Sequence, residues 1–258
     1  MGSSAPPIVE LQRAGKRFSD QTLALDGIDL DVQPGELVGV VGAPGCGKST
    51  LLRMVAGLTT PTSGVVAVRT RRIGFAFQDP LPLPWHGVRA NAELPGGLDG
   101  VPRGERQRLA GEATAVVGLG ECAGRPPQAL PGGMRARAWL AGSPPPPRPE
   151  LLLLDEPFGA LDELSRHRRN DELAQLFLEW RSTGLLATRS VTEAVFLASR
   201  VVVLAAPPGR VVGTFEAPFG YPREPRLRLS GAFTRLAGEV SECLRAGATA
   251  RTGAVARR

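Results

Sequence analysis

Two clusters in this chain have the residue types, and the order, that phosphate chemistry needs. The first is Gly42-Ala43-Pro44-Gly45-Cys46-Gly47-Lys48-Ser49-Thr50, a complete G-x-x-x-x-G-K-[ST] run. Its glycines let successive backbone N–H groups turn inward around an anion with no Cβ in the way. Lys48 can then reach the outer phosphates of a nucleoside triphosphate, and the Ser49 hydroxyl can ligate Mg²⁺. The second cluster is Asp155-Glu156, which ends the apolar run Leu151-Leu152-Leu153-Leu154. An Asp delivered to the carboxyl edge of a sheet can hold Mg²⁺, usually through water, and the adjacent Glu can polarise the attacking water as general base. Each cluster alone has a plain reading, a tight glycine turn or an acidic turn after a strand. In this order, and with the Lys-Ser pair in register, they indicate a chain that binds a nucleoside triphosphate. Cys46, inside the phosphate loop near a helix N-terminus, is placed where a thiol pKa is lowered and where alkylation should block nucleotide; it also fits simply as a small residue.

The elements around these clusters follow from local pattern. Leu37-Val38-Gly39-Val40-Val41 leads into the phosphate loop as a strand, and Leu51 to Ala56 leaves it as a helix that Gly57 caps. Ile8 to Leu11, Leu25 to Val32, Val65 to Val68, Ile73 to Phe77, Leu151 to Leu154, Gly184 to Ala187 and Val201 to Leu204 read as further strands. Asp162 to Trp180 and Thr192 to Ser199 read as helices, so strands alternate with helices as in an α/β parallel sheet. From about residue 80 to 147, Pro and Gly interrupt helical patches such as Gly104 to Val117, which marks an inserted helical lobe. In the tail, Ser230 can cap a helix whose Phe233, Leu236, Val240 and Leu244 share one face.

The bulk properties bound the class. A chain of 258 residues with 42% hydrophobic and 22% charged residues can bury a proper core. No stretch approaches the roughly 18 consecutive apolar residues of a spanning helix, and the N-terminus lacks the apolar core of a signal peptide. The net charge of +6 is spread over scattered arginines, with Lys16 and Lys48 the only lysines, so it reads as a solvated basic surface rather than a nucleic-acid stripe. Cys46, Cys122 and Cys243 are too widely spaced for a zinc site or a disulfide framework.

These motifs resemble the nucleotide-binding subunit of an ABC transporter, from about Ile8 to Arg245. Gly42 to Thr50 matches Walker A, Phe77-Gln78-Asp79 the Q-loop, and Leu130-Pro131-Gly132-Gly133-Met134-Arg135 the signature. Leu152 to Pro157 matches Walker B, and Gly159-Ala160-Leu161-Asp162 the D-loop. Leu83-Pro84-Trp85, Glu193 to Leu197 and Pro207-Pro208-Gly209-Arg210 are similar, more narrowly, to nitrate/sulfonate/taurine-type importers. The resemblance implies an α/β fold: a P-loop NTPase core with a parallel sheet, an N-terminal antiparallel β subdomain and an inserted helical lobe. It implies a single ATP-binding domain, with core and β subdomain at about 8–79 and 148–220, the lobe at 80–147 and a helical tail at 221–258. ATP and Mg²⁺ are the implied cofactors. Phe18 would stack on adenine, Gln78 would couple the γ-phosphate and Mg²⁺ to the lobe, and Asp162 would lie at the dimer junction. Pro131, Gly132 and Gly133 would cover ATP held by a second subunit. The implied partners are that second subunit, most simply a second copy, integral membrane permease subunits and, indirectly, a periplasmic or extracellular solute-binding protein, with no nucleic acid. The implied location is peripheral, on the cytoplasmic face of the membrane.

Three positions depart from that pattern. Pro131 stands where the family has a serine, Arg189 follows Thr188 where the family has a switch histidine, and the helix expected after the signature is cut short, since Met134 to Ser143 can be helical but Pro144 to Pro147 stops it. Arg189 could still pair with phosphate charge, but it cannot reproduce a histidine's switchable hydrogen bond. Two readings therefore stay open: an ATP-hydrolysing importer subunit with Glu156, Gln78 and Arg189 at the reaction, and an ATP-binding subunit that hydrolyses poorly and works beside a competent partner. A third class, an ABC-type ATPase acting on DNA or ribosomes, lacks the coiled-coil insertion, zinc-spaced cysteines and second P-loop it would need.

Overall fold

The computed structural model describes residues 6–76, 83–98, 100–131, 134, 138, 141–142, 149–159, 161–205 and 207–249. In chain order the elements are β1 (Val9–Arg17), β2 (Leu23–Val32), β3 (Leu37–Gly42), α1 (Lys48–Val55), β4 (Ser63–Val68), β5 (Ile73–Ala76), α2 (Val88–Leu98) and α3 (Arg103–Val116). They continue with β6 (Leu151–Asp155), α4 (Glu163–Trp180), β7 (Thr183–Thr188), α5 (Val191–Leu197), β8 (Arg200–Leu204), β9 (Val211–Glu216) and α6 (Gly231–Thr249). Two sheets result: a small antiparallel one in the order β2-β1-β4, and a central one in the order β5-β6-β7-β3-β8-β9.

The apolar runs dictate this layering. Strands buried on both faces read as continuous hydrophobic stretches, and β3, β6 and β7 are buried throughout. Alternate side chains then serve opposite faces. Leu37, Val41, Leu152, Leu154, Leu186, Val201 and Val203 join one cluster with Phe177 of α4, Phe196 of α5 and Phe233 of α6. Val38, Val40, Leu151, Leu153, Leu185, Val202 and Leu204 join the other, with Leu51 and Leu52 of α1 and Leu11 and Ile28 of the small sheet. Gly39 lets α5 lie close on β3, since a methyl there would stand 3.1 Å from Ala194 Cβ and 3.2 Å from Ala198 Cβ.

Several expectations change in the structure. The central sheet is mixed rather than wholly parallel, because β9 pairs antiparallel with β8 through a short connection that leaves no room for a crossover helix. β1 runs on past Leu11 to Arg17, since pairing with β2 on one side and β4 on the other holds polar residues in the ladder. α2 forms across Pro95 in a region read as interrupted. Gly57, at φ +72°, does follow the end of α1, and Ser230 Oγ accepts from Phe233 N at 3.2 Å. Of the stretch 134–143, Met134, Ala138, Ala141 and Gly142 are helical, while Pro144 to Pro147 lie outside the described residues. Among the described residues no helix is long and apolar enough to cross a membrane.

Candidate active site

The turn from β3 into α1 floors the site. Gly45 and Gly47 sit at φ +76° and +100°, conformations open to glycine at little cost. At Gly47 a methyl would also stand 2.6 Å from Leu25 Cδ2 and 2.9 Å from Ala24 O, so β2 lies directly on the loop. α1 begins at Lys48 with no side-chain cap, which leaves first-turn N–H groups to serve an anion. Lys48 is only 4% exposed; its Nζ donates to Gly42 O at 2.8 Å and Ala43 O at 3.2 Å.

β6 brings two carboxylates to the same place. Glu156 takes up φ +48°, a left-handed conformation that costs a non-glycine residue about 1 kcal/mol. Hydrogen bonds from Glu156 N to Ala187 O (2.8 Å) and from Gly159 N to Glu156 O (3.1 Å) hold it there. The turn directs the carboxylate between two cations: Oε1 lies 3.5 Å from Lys48 Nζ, and Oε2 accepts from Arg189 Nε at 2.6 Å. Asp155 is buried, and that burial raises its pKa while a hydrogen bond from Ser49 opposes the rise. Its Oδ1 is buried with no hydrogen-bond partner among the described residues, an arrangement that a divalent cation beside Ser49 would satisfy. Those residues contain no group of three or more His, Cys, Asp or Glu that could hold a metal ion, so Mg²⁺ here would complete its shell with phosphate oxygens and water.

Arg189 is presented by a tight polar turn at the end of β7. Ser190 N donates to Thr188 Oγ1 at 3.0 Å, the Thr188 hydroxyl in turn donates to the Glu193 carboxylate, and Ser190 Oγ accepts from Glu193 N at 3.3 Å. Glu193 is buried, and burial pushes its pKa up to about 7 against the pull of Thr188 and Arg166, with Glu156 adding to the rise. The Ser190-x-x-Glu193 spacing is that of an ordinary capping box, and it gives no sign in the sequence that the Glu193 carboxylate turns inward to Thr188.

These parts surround a cavity of about 390 Å³, within the usual range for a small-molecule site. Of the residues singled out in the sequence, Phe18, Pro44, Gly45, Gly47, Lys48, Ser49, Thr50, Glu156 and Arg189 line it. Phe18 is 40% exposed, with Lys16 Nζ 5.7 Å over its ring. Gly42 and Ala43 serve through the carbonyls that hold Lys48. Cys46 is corrected: it is fully buried, its Sγ lies against β3 where a methyl on Gly42 would overlap it, and burial raises its pKa instead of lowering it. A thiol so placed is shielded from alkylation. Pro131 is exposed and does not line the cavity; nor does Asp162, which caps α4 by accepting from Ser165 N at 2.9 Å. Gln78, with Phe77 and Asp79, lies outside the described residues, as do Gly132, Gly133, Arg135 and Ala160. Thr22, Leu23, Ala24 and Pro207 also line the cavity and carry no motif signal that assigns them a role.

Comparison with known proteins gives the family. Residues 25–159 match the ABC transporter family. The aliphatic sulfonates import ATP-binding protein SsuB 1 of Mesorhizobium japonicum is 43% identical over 236 residues, spanning 89% of this chain and 85% of that protein. The nitrate import ATP-binding protein NrtD of Synechocystis is 38% identical over 266 residues, spanning 96% and 98%. Among solved structures, the dimeric form of MJ0796, a bacterial ABC transporter cassette, aligns with a TM-score of 0.71 at 26% identity, over 82% of this chain and 100% of that one. Its post-hydrolysis state bound to ADP and Pi gives a TM-score of 0.70. A match across residues 25–159, extended by the nitrate relative over nearly the whole of both sequences, means that this chain belongs to the ABC transporter family, in which it is an ATP-binding subunit.

Proposed function

We propose that this chain binds and hydrolyses ATP to energise an importer of a small oxyanion of the sulfonate or nitrate kind. The observation that carries the reading is the buried meeting of Lys48 and Glu156 at 3.5 Å, on the floor of a cavity that a glycine turn opens. Lys48 and the loop amides would take the β- and γ-phosphates. Glu156 would accept the proton of the attacking water, and Arg189 would face the charge that develops on the γ-phosphoryl group. Ser49 and Asp155 would hold Mg²⁺, which supplies positive charge against the phosphate oxygens. Gln78 is assigned there with them by motif alone. Pro131, Gly132, Gly133 and Asp162 would act across a dimer, on ATP held by a second copy.

The cargo assignment rests on relatives named for aliphatic sulfonate and nitrate import. In this reading the segment 80–147 is the lobe that docks a membrane permease, 8–79 with 148–220 the nucleotide core, and 221–258 the tail. A solute-binding protein would deliver cargo on the far side, and this subunit would sit on the cytoplasmic face. The purified protein tests the reading: Mg²⁺-dependent phosphate release should fall at least 10²-fold in Glu156→Gln while ATP binding persists. Undiminished release from that variant would refute the role of Glu156.

One observation favours slow turnover as a second reading: Arg189 Nε already occupies Glu156 Oε2 at 2.6 Å, where a water would have to compete. Arg189→His should then raise the rate about tenfold or more, and an unchanged or lower rate removes this reading.

A further inference from the structure

The Pro207-Pro208-Gly209-Arg210 loop between β8 and β9 has no part in the chemistry above, yet it is fastened to the site from two directions. Toward β2, Gly209 N donates to Ala24 O at 2.9 Å, and Asp26 N donates to Gly209 O at 2.9 Å. Leu25 and Gly209 form a parallel bridge, and Arg210 Nε donates to Asp26 at 3.0 Å. Toward the phosphate loop, a methyl on Gly209 would overlap the Cys46 carbonyl oxygen and stand 2.9 Å from Leu25 Cδ2. Gly47 meets Ala24 and Leu25 just as closely from its own side. The phosphate loop, β2 and the 207–210 loop therefore converge on Ala24-Leu25 with no space for an added carbon. At the free end of this junction, Pro207 lines the cavity together with Phe18, Thr22 and Ala24.

This junction sits where the two sheets meet. β8 belongs to the central sheet that carries the phosphate loop, whereas β2 belongs to the small sheet and Phe18 stands in the turn that joins β1 to β2. A loop pinned to both fixes how far the Phe18 ring stands from the phosphate cradle. Pro207 adds a rigid apolar ring that loses no side-chain rotamer freedom when a flat aromatic group packs on it. We propose that Pro207 is a nucleobase-binding residue, and that Gly209 and Arg210 are positioning residues that hold it beside Phe18. The loop governs affinity for the base and leaves affinity for the phosphates to the loop amides and Lys48. The proposal rests on the nucleotide reading of the cavity.

The test is calorimetry on the full chain with Mg²⁺, comparing ATP with inorganic tripolyphosphate, which has the phosphates and no base. Pro207→Ser should weaken ATP about tenfold and leave tripolyphosphate within about twofold. Arg210→Ala, an exposed change that leaves the backbone bonds in place, should give the same selective loss at about threefold. Unchanged ATP affinity in Pro207→Ser overturns the proposal, and so does a parallel loss for both ligands. Wild-type protein that binds neither ligand removes the nucleotide reading as well; wild-type protein that binds ATP, beside an equally tight Pro207→Ser, removes only the role of the loop.

Discussion

The two ends of one cavity are built in opposite ways. At the phosphate end, Lys48, Asp155 and Glu156 are all buried, and each is delivered by a short contiguous segment whose backbone is fixed by its neighbours. At the other end Phe18 is 40% exposed, and its surroundings come from its own β1–β2 connection and the distant 207–210 loop, tied to β2 by backbone hydrogen bonds. The difference separates two tasks. Charges withdrawn from water interact strongly, so in the proposed reading the buried end would supply most of the grip on a triphosphate. In the same reading, the exposed, apolar end assembled at the junction of two sheets offers a stacking surface to a base.

Lys48→Ala is the most damaging way to probe that contrast. It removes the cation from the cradle and leaves Glu156 buried with half of its compensation gone, a loss worth several kcal/mol for a buried pair. ATP and tripolyphosphate should both weaken by at least about 10²-fold in the same calorimetric comparison. Loss of ATP affinity alone would contradict the division of labour. Phe18→Ala should do the reverse and cost ATP about tenfold, the scale of one base stacked on one aromatic ring, while tripolyphosphate stays unchanged. An equal effect on both ligands would mean that Phe18 only supports the fold of the small sheet.

The same contrast decides what could be read from the sequence. Gly42 to Thr50 and Leu151 to Glu156 are contiguous, and their geometry is local: glycines at positive φ, a helix start, a strand end. The backbone course of the phosphate end was therefore legible in these two segments. The buried strands were legible for a similar reason, since a parallel strand covered on both faces must be a continuous apolar run. β9 was not, because Val211–Glu216 is only partly buried along its length and follows β8 with no helix to announce it. The burial of Cys46 also escaped, since it depends on how the thiol packs against β3 rather than on its place before a helix. Pro207 had a motif but no role, because its neighbours Phe18 and Ala24 lie far away in sequence and meet it only after the two sheets dock.

Glu193 belongs to the phosphate end by position, and its effect is on stability and its pH dependence rather than on ligand affinity. Its carboxyl group is buried behind the Thr188–Arg189 turn, facing Thr188, Arg166 and Glu156, and its pKa rises from an ordinary 4.5 to about 7. An unfolded chain releases that proton near pH 4.5, whereas the folded chain keeps it until about pH 7. The unfolded state thus binds fewer protons across this window, and the contribution of Glu193 to stability falls as pH rises through it, then stays level above about 7. Glu193→Gln preserves an acceptor for the Thr188 hydroxyl and removes the ionisation. Relative to the wild type, the variant should gain stability between pH 5 and pH 8, on the order of a few kcal/mol in urea unfolding. A constant difference between the two proteins at both pH values would show that Glu193 does not titrate in that range.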